Sequence, residues 1–115
     1  MRRVIFGPEH EEVGDSLNTI GYFLTDLARF DEAKIYLEKA LGIHERRFDS
    51  FDPRLSYTLD SYGYLLYKMQ LFNEAEPFLV RSLNIRKTAF GSNHVKTKKS
   101  KIRLNDLYKT WGKPG

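Results

Sequence analysis

Helical spacing would gather four residues of this chain: Tyr57, then Asp60, Tyr64 and Tyr67 at +3, +7 and +10. If the segment is a helix, steps of three and four keep all of them on one face. Such a face can recognise a ligand rather than break a bond. Each phenol brings contact area at small entropic cost, with a hydroxyl that can meet a peptide backbone. Histidine is the other side chain suited to work near neutral pH, and the chain has His10, His44 and His94. His10 and His94 recur in register with Asp52 between them, each beside an expected helix start. A polar side chain there meets free backbone N–H groups. Neither His10-Glu11-Glu12 nor His44-Glu45 has a second histidine four residues on, so the zinc-protease pairing is absent and no metal is expected.

Other catalytic arrangements are missing as well. The carboxylates scatter over expected helix starts, where they favour the helix dipole, and over exposed faces. No Gly-x-Ser-x-Gly elbow, phosphate loop or dinucleotide fingerprint occurs. Without cysteine there is no thiol nucleophile and no disulfide framework. We expect no enzyme, no catalytic residue and no cofactor.

The 115 residues, 41% hydrophobic and 30% charged, suit a single domain with a core. No apolar run approaches the roughly 20 residues of a membrane span. A soluble, reducing, cytoplasmic setting is the expectation. Charge is uneven: residues 1–93 carry −2 and residues 94–115 carry +6. The basic run Lys96, Lys98, Lys99, Lys101, Arg103 and Lys109 could meet nucleic acid or an anionic membrane, but as a solvated helix it simply caps a domain.

What must position these residues is a repeat. Shifting the sequence by 42 gives 11 identities, among them Gly21-Tyr22 on Gly63-Tyr64, Phe30 on Phe72 and Glu32-Ala33 on Glu74-Ala75. Glycine, alanine and aromatic positions coinciding at one offset indicate duplicated structure. Each unit reads as two helices. Leu17, Ile20, Phe23, Leu24 and Leu27 give a first stripe, and Ala33, Leu37, Ala40, Leu41 and Ile43 a second. Asp31 and Asn73 are expected to cap the second helices, while Asp52-Pro53 has the form of an N-cap and first helical residue. Leu55, Leu59, Tyr62, Leu66 and Met69 repeat the stripe. Gly21 and Gly63 should let the paired helix approach closely, with Phe30 and Phe72 closing the turns. A third unit supplies one helix, from about Val95 to Trp111, with Leu104, Leu107, Tyr108 and Trp111 on its apolar face.

The runs Leu17-Asn18-Thr19-Ile20-Gly21-Tyr22-Phe23-Leu24, Ala28-Arg29-Phe30-Asp31-Glu32-Ala33 and Tyr36-Leu37-Glu38-Lys39-Ala40-Leu41 resemble the tetratricopeptide repeat. The 42-residue period, the linker Phe6-Gly7-Pro8-Glu9-His10 and Glu74-Ala75-Glu76-Pro77-Phe78-Leu79 are similar to its kinesin-light-chain subtype. The resemblance implies an all-α, right-handed α-solenoid of stacked antiparallel helix pairs, with five helices here. Residues 1–9 would be the tail of a preceding repeat, 10–47 the first repeat, 48–89 the second, and 90–115 a half repeat ending in a basic capping helix. It also implies a non-enzymatic interaction module whose first helices line a concave groove for a partner's peptide. Mapped onto this chain, the groove comprises Asn18, Tyr22, Asp26, Tyr57, Asp60, Tyr64, Tyr67, Lys68, Lys99, Arg103 and Asp106. A protein or peptide ligand is the expected partner. Self-association or membership of a longer array is a further expectation, because a hairpin face without a neighbour would be an apolar patch.

Overall fold

The computed structural model describes residues 11–113, and five helices account for nearly all of them. They are α1 (Glu11–Asp26), α2 (Phe30–Arg47), α3 (Pro53–Lys68), α4 (Phe72–Phe90) and α5 (Val95–Trp111). There is no strand among the described residues. The linker Phe6 to His10 and the expected tail over residues 1–9 lie outside them.

Helix starts follow two different rules. Between hairpins a side chain does the capping. The Asp52 carboxylate accepts the Arg54 N–H at 2.9 Å with Pro53 at the first helical position, and His94 Nδ1 accepts the Lys96 N–H at 3.1 Å. Both free an otherwise orphaned donor from paying its desolvation cost. The Arg54 guanidinium, bonded to the same carboxylate, also holds the Asp52 carboxyl below its ordinary range. Inside the hairpins the expectation fails: α2 and α4 begin at Phe30 and Phe72, and neither Asp31 nor Asn73 caps them. The turn itself does the work. Ala28 and Gln70, 42 residues apart, take left-handed φ of 59° and 63°. That lets Arg29 N–H reach Leu24 O at 2.9 Å and Leu71 N–H reach Leu66 O at 2.8 Å. Such bonds satisfy the terminal carbonyls of the preceding helix, so Asp31 and Asn73 fall within the next helix instead of before it.

Within each hairpin the glycines bring the partners close. A Cβ at Gly21 would lie 2.5 Å from Leu37 Cγ, and one at Gly63 would lie 2.6 Å from Leu79 Cδ2. The seam continues through the fully buried Leu37, Leu65, Leu79 and Leu107, with Phe30, Phe72, Leu104 and Trp111 packed against it. Burying each such leucine contributes roughly 1.5–3 kcal/mol. Helices α2 and α3, and likewise α4 and α5, join one hairpin to the next unit.

One expected stripe is displaced. On α1 the buried positions are Gly14, Asn18, Gly21, Leu24 and Thr25, which pack against α2, whereas Ile20, Phe23 and Leu27 are 43%, 63% and 52% exposed. Their counterparts Tyr62 and Leu65 on α3 belong to the core, and Met69 at its C-terminal cap packs against it. Residues 20, 23 and 27 therefore form the face that a neighbouring unit covers, and among the described residues nothing covers it.

Candidate functional site

The first helices α1, α3 and α5 border a groove of about 550 Å³. Its walls include Tyr22 of α1, Tyr57, Asp60, Ser61, Tyr64 and Tyr67 of α3, Lys96, Lys99, Ile102, Arg103 and Asp106 of α5, and Arg86 of α4. A second hollow, lined by Asp15, Thr19, Arg54 and Phe90, shares Tyr57, Arg86 and Lys96 with it, so the two form one trough.

Arg103 ties the three helices together. Its guanidinium lies 4.2 Å from the Tyr64 ring centroid, and its Nε donates to Asp60 Oδ2 at 3.2 Å. Nη2 reaches Tyr22 Oη at 3.4 Å. Burial opposes this charge, but the Asp60 carboxylate and the hydrogen bond to Tyr22 outweigh it and hold the guanidinium pKa above its usual value. Tyr22 and Tyr64 stack at 5.1 Å, and Tyr64 stacks on Tyr67 at 6.4 Å. The tyrosines thus form a preorganised ladder, which lowers the ordering cost of receiving a ligand. Tyr57 stands apart from it, 54% exposed.

The floor is polar. Asp60 is buried beside Arg103 and Arg86, yet its Oδ1 has no hydrogen-bond partner. Arg86 is buried on α4, with Nε donating to Ser56 Oγ at 3.0 Å and Nη1 to Ser100 Oγ at 2.8 Å. Burial lowers its pKa, with Asp60 pulling the other way. Arg86 lies 42 residues beyond His44, which makes the equivalent bridge: Nδ1 pairs with Thr58 Oγ1 at 2.5 Å and Nε2 with Asp15 Oδ1 at 3.0 Å. Thr58 and Ser100 are themselves 42 apart. Each second helix therefore bolts its own first helix to the next one through a buried polar side chain.

The structure brings Tyr22, Tyr57, Asp60, Tyr64, Tyr67, Lys99, Arg103 and Asp106 together at the groove. Three expected residues lie elsewhere. Asn18 is 1% exposed, and neither amide atom has a partner. It is sealed because it continues the stripe Gly14–Gly21–Thr25 that packs on α2. Asp26 is exposed outside the groove walls and accepts the Tyr64 hydroxyl at 2.7 Å. Lys68 is exposed, its ammonium 6.0 Å from the Tyr64 ring centroid. Arg86, Ser61 and Lys96 were missed. For Arg86 a signal existed: Ala75, Leu79, Ser82 and Arg86 follow i, i+4, i+7 and i+11, placing an arginine on a core stripe.

Burial and carboxylate partners also set a pH limit. Burial first, then the Asp26 hydrogen bond, pushes Tyr64 up to about 12 from 10, and Tyr62 likewise reaches about 12 through burial and Glu38. Between those values the folded state keeps protons that the unfolded chain releases, so stability is whole below pH 10 and declines toward pH 12. Urea midpoints should fall over that interval, and Tyr64→Phe should make the fall shallower. An unchanged slope in the variant would remove Tyr64 from the account.

The model of the tetratricopeptide repeat family matches residues 13–54 and again residues 56–95. This chain belongs to the tetratricopeptide repeat family. The two matches, each about one hairpin long, are of the 42-residue-repeat kind and agree with the stacked hairpins of an all-α solenoid. Tetratricopeptide repeats generally mediate protein–protein interaction, assemble into arrays and serve as non-enzymatic scaffolds. Among the described residues no helix is long and apolar enough to cross a membrane. A comparison with curated proteins finds no match to the chain.

Proposed function

We propose that this tetratricopeptide module captures an extended peptide segment of a partner protein in the trough between α1, α3 and α5. The observation that carries the reading is the stacked run Tyr22–Tyr64–Tyr67, braced by Arg103 and left open on its groove side. Tyrosine rings held in place by their neighbours lose little freedom on binding. Asp60 Oδ1 offers a desolvated acceptor for a peptide N–H, and Lys99 with Asp106 gives the rim charges of both signs. The kinesin-light-chain likeness of the repeats belongs to the same reading.

A peptide library screened against the chain and against the Tyr57→Ala, Tyr64→Ala double variant tests it. Loss of anchoring aromatics at the centre of a groove typically costs 2 kcal/mol or more, so selected peptides should bind the variant at least about 30-fold more weakly. Equal binding to both proteins sinks the assignment. The variant's circular dichroism and melting must first show the helices intact.

A further inference from the structure

Helix α5 departs from the repeat on the side away from the core. Thr97, Ser100, Leu104, Leu107 and Trp111 form its packed stripe, while Val95, Lys98, Ile102, Asn105 and Lys109 share the opposite ridge. In α3 the positions 42 residues earlier seat the paired helix: Ser56 accepts from Arg86, Leu59 is wholly buried, and Gly63 leaves room for Leu79. In α5 those positions hold Lys98, Lys101 and Asn105. A Cβ at Gly63 would already lie 2.6 Å from Leu79 Cδ2, so a helix cannot lie as close against Asn105. The face that receives a helix elsewhere is cationic here. Lys98, Lys99, Lys101 and Lys109 have no carboxylate partner among the described residues, whereas Arg103 and Lys113 do. The acids beside this face point elsewhere: Asp106 lines the groove, and Glu76 accepts from Tyr108 Oη at 2.6 Å and Lys113 Nζ at 3.3 Å.

We propose that the outer face of α5 docks on a bilayer surface carrying anionic lipids, with Lys98, Lys101 and Lys109 at the headgroups and Val95 and Ile102 at the acyl boundary. Charge complementarity supplies the attraction, and the apolar residues select the partner. Val95 and Ile102 are 62% and 59% exposed amid the lysines. Aliphatic groups gain nothing on a phosphodiester backbone. At a membrane they leave water, while the lysine stems carry their ammonium groups back to the headgroups. A nucleic acid would call for a ring to stack on bases or an arginine to read them. The ridge has neither, since Arg103 is engaged by Asp60 and Tyr22. Among the described elements α5 packs on α4 and α3 alone, so its ridge lies at the end of the stack. A flat surface can therefore meet about 21 Å of helix at once. Ile102 also borders the groove, so the docked face runs along the groove's rim and not across its floor.

Sedimentation with lipid vesicles tests it, using phosphatidylcholine alone and phosphatidylcholine mixed with phosphatidylserine. The parent chain should bind the mixed vesicles only, and high salt should release it through screening. Lys98→Glu with Lys101→Glu and Lys109→Glu should lower the partition coefficient at least about 100-fold, since each lysine near an anionic surface contributes about a factor of five. Val95→Ser leaves the charge unchanged and should weaken binding about threefold or more. None of these four residues borders the groove. Lys98→Gln with Lys109→Gln, at two exposed positions, should weaken binding about 20-fold and serves if the triple variant fails to fold. Equal binding to both kinds of vesicle, or binding to neither, overturns the proposal. So does a parent chain that holds an RNA or duplex DNA oligonucleotide more tightly than the mixed vesicles, with Val95→Ser unaffected, which would make the face a nucleic-acid surface. Circular dichroism confirms that every variant is folded before it is scored.

Discussion

Gly63→Ala is expected to destabilise the protein by about 1–3 kcal/mol, even though alanine is the better helix former. Alanine's propensity returns about 1 kcal/mol, but the new methyl would sit 2.6 Å from Leu79 Cδ2 and 2.7 Å from Leu79 Cγ. Both helices are packed on other elements, so neither can retreat without opening the seam, and overpacking of this kind costs more than the propensity gain. Leu79 is wholly buried, and Leu79→Ala alone should cost about 2–5 kcal/mol by leaving a cavity. The two changes compensate, because the added methyl enters the space the leucine vacates. Urea unfolding of the double variant should therefore give a loss smaller than the sum by at least about 1 kcal/mol. Strict additivity would show that the glycine is not needed for helix approach.

Arg86→Leu should cost about 2–4 kcal/mol, concentrated on α5. The guanidinium bonds Ser56 of α3, Ser100 of α5 and the Lys96 carbonyl, at 3.0, 2.8 and 3.2 Å. Leucine fills part of the volume but leaves buried hydroxyls with fewer partners, each loss costing roughly 1–3 kcal/mol. Part is offset, since Arg103 no longer faces a like charge. Hydrogen exchange locates the damage: amides of α5 should exchange faster while those of α1 and α2 keep their protection. Uniform acceleration across all five helices would mean that Arg86 supports the fold globally and does not act as a local fastener. Arg86→Lys, which keeps the charge but loses the forked geometry, should fall between.

The repeat made much of this legible. Small residues at 21, 33, 63 and 75 and leucines at 37 and 79 are where the hairpins meet, because close packing leaves a period that survives duplication. Asp52-Pro53 was readable for the same reason: capping is local chemistry. Residues 20, 23 and 27 were not, since an apolar side chain looks the same in sequence whether or not a neighbour covers it. Asn18 misled in the opposite direction, being a polar residue on a packed stripe. The hairpin turns hid behind Ala28 and Gln70, whose left-handed backbone neither residue type announces. Of the groove, the α3 tyrosines were visible as one helical face, whereas Arg86 reaches the floor from a second helix and depends on long-range packing.

The paired bridges, His44 to Thr58 and Arg86 to Ser100, occupy one register but use different chemistry. Their own-hairpin partners differ too: Arg86 relies on Ser56, and position 14, where the first hairpin would need that hydroxyl, is glycine. Each hairpin nevertheless carries its own half of the joint, and the hydroxyl that receives it in the next first helix recurs at Ser16, Thr58 and Ser100. A chimera that moves a whole hairpin therefore moves its lock intact, whereas one that exchanges a single helix separates Arg86 from Ser56 or His44 from Asp15.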